Sequence, residues 1–194
     1  MSKRSKFSIL LAGLALVAFS AVPAAFADSG ADAGSYAGVL LGPSFVNQGL
    51  GTQFAIGGHV GTKLSPIFGL GFYGTYESLG SGSASDGVNS VSASLSEVIL
   101  AAEPNFFVLG DDSLYVGAKI GVGLTSGSLS ANINGVSASG SGTQTNFAVG
   151  PAVGYNLKLN PNWSVNAEVN SIWVTTSGSA LNLTNILFGA SYWF

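Results

Sequence analysis

The stretch Asn182–Phe194, N-L-T-N-I-L-F-G-A-S-Y-W-F, alternates between two kinds of side chain. Every second residue, counted back from the end, is apolar: Phe194, Tyr192, Ala190, Phe188 and Ile186. A period of two predicts a β-strand with one apolar face. Because the strand ends on an aromatic residue with no polar tail after it, we expect it to lie in a membrane. A soluble strand at the edge of a sheet is the alternative that these residues alone leave open.

The start of the chain has the features of an export signal. A basic beginning is followed by the apolar run Phe7–Val22 and by the small-x-small sequence Ala25-Phe26-Ala27. The run is too short for a spanning helix, so we expect cleavage after Ala27. The predicted organisation is a cleaved signal peptide at 1–27 and one outer-membrane barrel domain at 28–194.

The composition excludes several classes of function. Residues 28–194 contain no arginine and only three lysines, Lys63, Lys119 and Lys158, so a nucleic-acid surface is not expected. There is no cysteine, which excludes a thiolate site and lipidation of a new N-terminus. The single histidine, His59, has no cysteine and no second histidine with which to share a metal. We therefore expect no metal and no cofactor.

Charge and hydrophobicity together indicate a membrane protein. Only 8% of the residues are charged and 47% are hydrophobic, whereas about a quarter of the residues of a soluble domain are charged. After the signal, no apolar run reaches the roughly 18 residues of a spanning helix. Helices and closed barrels are the only backbones that satisfy their hydrogen bonds within lipid. The sequence therefore predicts a membrane-embedded β-barrel.

Alternation along the rest of the chain predicts an all-β protein, an eight-stranded antiparallel up-and-down transmembrane β-barrel. Short turns near Ser65, Asp111 and Pro161 would share the periplasmic end, and the mostly longer links would share the other. The strands are predicted at about 36–46, 52–63, 68–77, 97–108, 114–124, 146–158, 163–173 and 182–194.

Glycines and aromatic residues decide which face of this barrel is outside. One face carries many glycines, among them Gly71, Gly117 and Gly150, and glycine suits the narrow lumen of eight strands. The other face is large and apolar, with aromatic residues towards its ends: Tyr155, Trp163, Trp173, Tyr192 and Phe194. Aromatic belts are typical of lipid-facing surfaces, so the apolar face is predicted to contact lipid.

Some stretches are predicted to be irregular. Gly80–Ser90 is rich in glycine and serine and is predicted to be a flexible loop with a turn at Asp86-Gly87. The alternation changes phase near Ser96-Glu97, which indicates a β-bulge or the level where the strand leaves the membrane. Asn134-Gly135 lies between β-branched residues and predicts a tight hairpin. Prolines within predicted strands are interpreted as bulge or bend sites: Pro43, Pro104 and Pro151.

Three stretches carry a resemblance to a known family. Three residues fit the insertion signal polar-x-Gly-x-x-aromatic-x-aromatic of outer-membrane barrels: Gly189, Tyr192 and Phe194. Leu187 occupies the position that is usually polar. Together with Val149–Tyr155 and Trp163–Glu168, this terminus resembles the small porin-like barrels related to OmpA, OmpX and OmpW. The resemblance implies the cell outer membrane as the location, its lipid as a partner, and the barrel-assembly machinery as a partner of the C-terminal strand.

Ionisable residues on the predicted inner face form the candidate site. If the hairpin closes symmetrically about Asp111, Glu103 and Lys119 face each other on neighbouring strands. Glu168 should lie at a similar height, and His59 points inward near the periplasmic turn. We predict a structural polar cluster of these four side chains in the lumen. Scattered charges solvated by trapped water are the alternative.

The leading functional prediction is an outer-membrane protein that is not an enzyme. It would have a structural or surface-exposed role, a lumen filled by side chains and a monomeric state. A narrow porin-like channel for ions or small solutes is the first alternative, and a soluble exported β-barrel that binds an apolar ligand is the second. The Gly/Ser-rich loops contain no basic run and no acidic calcium repeat, so the sequence identifies no extracellular ligand.

Overall fold

The computed structural model describes residues 34–47, 51–108, 113–176 and 179–194. Eight strands follow one another in this part of the chain: β1 (Ser35–Val46), β2 (Gly51–Ser65), β3 (Phe68–Ser85), β4 (Ser90–Phe107), β5 (Leu114–Ile133), β6 (Val136–Lys158), β7 (Trp163–Thr176) and β8 (Ser179–Trp193). Neighbouring strands are antiparallel, and β1 pairs with β8 to close the barrel. The predicted eight-stranded up-and-down barrel is confirmed. The predicted signal peptide and the turn at Gly110–Asp112 lie outside the described residues.

Burial alternates along the strands of the barrel wall. On β7 every second residue from Ser164 to Val174 is buried, and the residues between them are exposed or half-buried. The exposed face is large and apolar, with Phe72 62% and Phe188 53% exposed. Because these large apolar side chains are exposed and do not contribute to a protein core, the apolar face is the outer face of the barrel, as predicted. Among the described residues there is no helix long and apolar enough to cross a membrane.

Glycines in the lumen make room for aromatic rings. The ring of Tyr115 on β5 covers Gly154 on β6, and a Cβ at Gly154 would clash with the Tyr115 Cζ. The hydroxyl of Tyr36 would similarly lie 2.6 Å from a Cβ at Gly61. Both tyrosines are buried. Glycine is therefore required at these positions by the inward rings that fill a narrow barrel.

β3 to β6 extend beyond the other four strands at the end of the barrel opposite Ser35 and Phe194. Pairing between β3 and β4 continues to Ser85–Ser90, and pairing between β5 and β6 continues to Ile133–Val136. The flexible loop predicted at Gly80–Ser90 is therefore wrong, because only the residues between Ser85 and Ser90 are unpaired. We call the parts of these strands at 80–85, 90–96, 126–133 and 136–143 the extracellular sheet, since the short turns of such barrels are periplasmic.

Both predicted turns of the extracellular sheet are confirmed. The Asp86 carboxylate accepts hydrogen bonds from the backbone N–H groups of Asn89 at 2.6 Å and Val88 at 3.0 Å. These bonds, together with one from the Asn89 side chain, hold the pKa of Asp86 below its usual value. Asn134 and Gly135 have φ of 51° and 81°, as a type I′ hairpin turn requires. Asn89 Oδ1 accepts from the Asn134 N–H at 2.9 Å and so joins the two turns.

A β-bulge is present near the predicted phase change, but on the neighbouring strand. Ser78 pairs with Ser96 and Gly80 with Leu95, so the extra residue is Leu79 of β3. β4 itself keeps its register with β5 through this region. The hydrophobic alternation of β4 changes phase because, above the lipid, the outward positions carry serines and the inward positions carry apolar residues. The second interpretation, the level where the strand leaves the membrane, accounts for β4.

The strand-interior prolines mark gaps in the ladders rather than β-bulges. Each one interrupts pairing with a single neighbouring strand, and the register is the same on both sides of the gap: Pro43 between β1 and β8, Pro104 between β4 and β5, and Pro151 between β6 and β7. On its other side each proline stays paired: with Phe54, Leu70 and Ala118 in the same order. A missing N–H removes a ladder hydrogen bond without adding a residue, so the closed barrel keeps its register.

Candidate functional site

The centre of the lumen holds a buried ionic cluster. Lys119 Nζ lies 2.8 Å from Glu103 Oε1, and 3.1 Å and 3.2 Å from the two carboxylate oxygens of Glu168. All three side chains are at most 1% exposed. The flanking pairs Ala102–Ile120 and Asn105–Gly117 set Glu103 opposite Lys119 in the register of β4 and β5. The structure therefore brings these three predicted residues into direct contact.

Neutral groups complete the surroundings of the cluster. The Lys119 Nζ lies 3.6 Å from the centre of the Tyr73 ring, which adds a cation–π contact. Glu168 accepts hydrogen bonds from the Tyr115 hydroxyl and the Asn170 amide, each at 2.7 Å. One ammonium thus bridges two carboxylates, one of which accepts further hydrogen bonds, and a buried ion pair needs such additional partners. The cluster links β3, β4, β5 and β7 across the lumen.

His59 lies at the edge of the cluster rather than within it. Its Nδ1 is 3.8 Å from Glu103 Oε2, beyond hydrogen-bonding distance, and its Nε2 is 2.9 Å from Ser191 Oγ. Ser191, His59 and Glu103 are arranged in space in the order of a nucleophilic triad. However, Ser191 donates to Asn166 Oδ1 at 3.0 Å, and the adjoining cavity is only about 10 Å³. A substrate has no room beside Ser191, so the geometry suits a structural hydrogen-bond chain.

Two buried carboxylates were missed by the sequence analysis. Glu77 and Glu97 are directly paired across β3 and β4, and both are fully buried. Glu77 accepts from Ser44 at 2.7 Å and Asn185 at 2.9 Å, whereas the Glu97 oxygens have no partner in hydrogen-bonding geometry among the described residues. Glu77 alternates in phase with inward Tyr73 on β3, and Glu97 with inward Glu103 on β4, which was the signal available in the sequence.

An apolar layer lies in the lumen on the extracellular side of the cluster. Its members are fully buried and come from β3, β4, β7 and β8: Leu79, Ile99, Ile172, Val174 and Leu183. Four aromatic side chains of the lumen are also buried: Tyr73, Phe107, Tyr115 and Trp193. The ionic cluster, the apolar layer and these aromatic rings all occupy the lumen in the part of the chain that the structure describes.

The extracellular sheet has two chemically different faces. The outward one, which we call the hydroxyl face, is every second residue of 81–85, 90–96, 126–132 and 137–143, and every position is serine except Asn132 and Thr143. The opposite one, which we call the inner face, is every second residue of 80–84, 91–95, 127–133 and 136–142. It contains only glycine, alanine, valine, leucine and isoleucine. Serine at alternate positions was the strand signal that a loop interpretation overlooked.

Comparison with known proteins decides the family. Residues 12–194 match the family described as outer membrane protein beta-barrel domain. The chain belongs to that family. Comparison with curated proteins gives no match.

Solved structures of other outer-membrane barrels share this fold. Ail, the attachment invasion locus protein of Yersinia pestis, has 14% identity and a TM-score of 0.59, over 84% of this chain and 100% of Ail. A major outer membrane protein from Thermus thermophilus has 13% identity and a TM-score of 0.58, over 84% of this chain and 100% of that protein. Neisserial surface protein A has 13% identity and a TM-score of 0.51, over 82% and 97%. At such identities the likeness concerns the fold alone.

As a member of this family, the chain is an outer-membrane protein embedded in lipid. The exposed apolar band provides the lipid-facing surface, and the soluble apolar-ligand barrel considered as an alternative is wrong. At the periplasmic end of this band, the rings of Trp163 and Tyr192 lie 5.2 Å apart, and those of Tyr192 and Phe194 lie 6.2 Å apart. Gly189 has no room for a Cβ against the carbonyl of Val39 on β1. Gly189 and Tyr192 of the predicted insertion signal thus lie on the strand that closes the barrel, and Phe194 directly follows it.

Proposed function

We propose that this outer-membrane barrel has a structural, surface-exposed role, that its lumen does not conduct, and that it is not an enzyme. The observation that carries the proposal is the bridge from Glu103 through Lys119 to Glu168, which spans the lumen with side chains that are at most 1% exposed. An eight-stranded barrel has a lumen about as wide as its own side chains, so a bridged lumen leaves no aqueous path.

A second barrier supports the closed lumen. The apolar layer above the cluster includes Leu79, Ile99 and Ile172, all fully buried. A hydrophobic constriction excludes water, and an ion that crossed it would have to give up its hydration. An ion would therefore meet two different obstacles in sequence, one electrostatic and one apolar.

The surface role is supported by the extracellular sheet. Four strands extend above the lipid-facing band in a paired, ordered arrangement, although the other four end near the mouth. A barrel with no role outside the membrane would need only short connections between its strands. Binding regions of proteins are commonly built on segments that a rigid scaffold presents in this way.

Biogenesis completes the proposal. The signal peptide at 1–27 would be removed, leaving the barrel domain at 28–194. Gly189, Tyr192 and Phe194 would then present the C-terminal strand to the barrel-assembly machinery. Support comes from the position of Gly189 and Tyr192 on β8, and of Phe194 directly after it, because β8 pairs with both β1 and β7 to close the barrel.

A narrow cation channel is the second candidate. Four carboxylates are buried in the lumen, those of Glu77, Glu97, Glu103 and Glu168, and Lys119 is the lysine that lies among them. Rings of carboxylates favour cations over anions in channels. This candidate requires the ionic bridge and the apolar layer to open.

Planar-bilayer recording separates the two candidates. The refolded protein should give no steady current, and the variant Lys119→Ala with Leu79→Ala, which weakens both barriers, should open transiently. Heat-denatured protein added to the same bilayer controls for leakage. Steady, cation-selective currents from the unaltered protein would establish the channel and reject the closed lumen.

A further inference from the structure

The inner face of the extracellular sheet has more glycine than its own fold requires. Gly82, Gly140 and Gly142 are exposed, and a Cβ at any of them would meet no other atom within 4 Å. None of the three has a positive φ. Glycine weakens a strand, and a strand glycine often marks a place where a ligand or another backbone approaches closely. These glycines therefore indicate an occupant outside the chain's own fold.

Leucines project from the inner face beside these glycines. Leu129 on β5 is paired with Ala93 on β4 and Gly140 on β6, and it is 54% exposed. Leu95 on β4 lies beside Gly127, and it is half-buried because it packs against the apolar layer. The face thus combines projections with depressions about one side chain deep. A two-fold rotation can bring the projections of one such face onto the depressions of an identical one.

The composition of the sheet favours a partner of the same kind. The segments 80–85, 90–96, 126–133 and 136–143 contain no Asp, Glu, Lys, Arg or His. Charge therefore provides no attraction for an ionic ligand. Burying a charged side chain in an interface is costly unless the charge is paired. Because these segments contain no charged residue, the inner face can be buried against an identical face without that cost.

The position of the inner face determines how a second copy can reach it. The face lies over the barrel mouth, and the wall opposite ends lower, at Val46–Gly51 and Thr176–Ser179. A cleft of about 840 Å³ lies against the sheet, with Leu79 and Gln53 among its lining residues. A neighbour in the same membrane stands beside the barrel and cannot enter this space. A copy that faces it head to head can place its own sheet there.

We infer that the inner face packs against the inner face of a second copy of this chain held in a facing membrane. With about 4.8 Å between strands and 6.8 Å between same-face residues, the inner face presents roughly 450 Å². Two copies would bury about 900 Å², close to the ~1,000 Å² lower limit of specific interfaces. One pair is therefore weak, and many pairs between two membranes act together. The inference rests on the proposed surface role but does not depend on the closed lumen.

The absence of cysteine allows a matched cross-linking experiment. Ala138→Cys on the inner face and Ser139→Cys on the hydroxyl face change adjacent, exposed residues on opposite sides of β6. Each full-length variant is reconstituted in separate vesicles of neutral phospholipid, which are mixed and treated with a short bis-maleimide. We expect vesicle aggregation with both variants and a cross-linked dimer with Ala138→Cys alone. Gly140→Leu, which fills a depression, should abolish aggregation and cross-linking.

The outcomes that overturn the inference are distinct. Equal cross-linking of the two cysteine variants, cross-linking of neither, or aggregation that survives Gly140→Leu would reject face-to-face packing. A monomer that carries an apolar small molecule in native mass spectrometry, lost in Gly140→Leu, would assign the face to a ligand instead. Heat-dependent gel migration confirms that each variant has folded. A conducting lumen would reject the closed barrel and leave the result of this experiment unaffected.

Discussion

At the scale of single residues, Lys119 compensates two buried carboxylates at once. Lys119→Ala should leave Glu103 and Glu168 facing each other without a cation, and losing one member of a buried ionic pair costs roughly 3–5 kcal/mol. The urea midpoint for unfolding in phospholipid vesicles, followed by tryptophan fluorescence, should fall accordingly. A triple variant with Lys119→Met, Glu103→Gln and Glu168→Gln should recover most of the loss, because no unpaired charge remains. An unchanged midpoint for Lys119→Ala would contradict the proposed role of the cluster.

At this scale the lumen also tolerates little added side-chain volume. Gly154→Ala should destabilise the barrel by about 1–3 kcal/mol, since overpacking forces neighbours to move. The Tyr115 ring that the new methyl would strike is buried, and its hydroxyl is held by Glu168. Gly142→Ala is the matched control on the same strand, because its Cβ would meet nothing within 4 Å. Equal urea midpoints for the two variants would show that the Tyr115 ring can move aside at no cost.

At the scale of the strand, the alternation of β5 fixes which side chains meet lipid. Ile120 is 46% exposed on the outer wall, next in sequence to buried Lys119. Ile120→Lys should cost roughly 2–4 kcal/mol if this position is near the bilayer midplane. Ser139→Lys on the hydroxyl face should change stability by no more than about 0.5 kcal/mol. The same urea experiment in vesicles compares them, and equal tolerance of lysine would disprove the assignment of faces.

The extracellular sheet shows where strand prediction fails. Glycine and serine are poor strand formers by composition, so Gly80–Ser90 is predicted to be a loop. In the fold, each segment continues a strand that the barrel already holds in register, and the neighbouring ladder supplies the hydrogen bonds. Position in the sheet thus outweighs intrinsic preference. The alternation of serine with small apolar residues was present in the sequence. In the extracellular sheet, however, the apolar residues of this alternation point inward, whereas in the membrane part they point outward.

At the scale of the whole molecule, closure should give resistance to detergent. Every strand has two neighbours in the membrane part, so no backbone edge is open to attack. The unboiled protein should therefore migrate differently from the boiled protein in SDS gels, and alkaline carbonate should not extract it from membranes. A boiled sample of the same preparation is the control. Release by carbonate as a soluble protein would contradict the barrel's embedding in lipid.

The sequence alone was sufficient for the barrel and its facing. Alternation such as that of Asn182–Phe194 is a local property of the chain, and lipid selects apolar side chains on one face along every strand. The turn residues Asp86-Gly87 and Asn134-Gly135 were equally readable, because a tight turn needs particular φ values. The bulge at Leu79 was misplaced to β4, since pairing of two strands, and not one strand's pattern, decides which of them holds the extra residue.

Only the tertiary structure decided which inward residues meet. Symmetry of one hairpin predicted Glu103 opposite Lys119, but contact between Lys119 and Glu168 depends on closure, which brings β7 across from β4 and β5. The same closure buried Glu77 and Glu97, and it left His59 beside Ser191 at 2.9 Å rather than within the ionic cluster. The chain's alternation therefore determines which face each residue occupies. The neighbours of each residue across the lumen are set by the curvature and register of the closed sheet, which no single segment encodes.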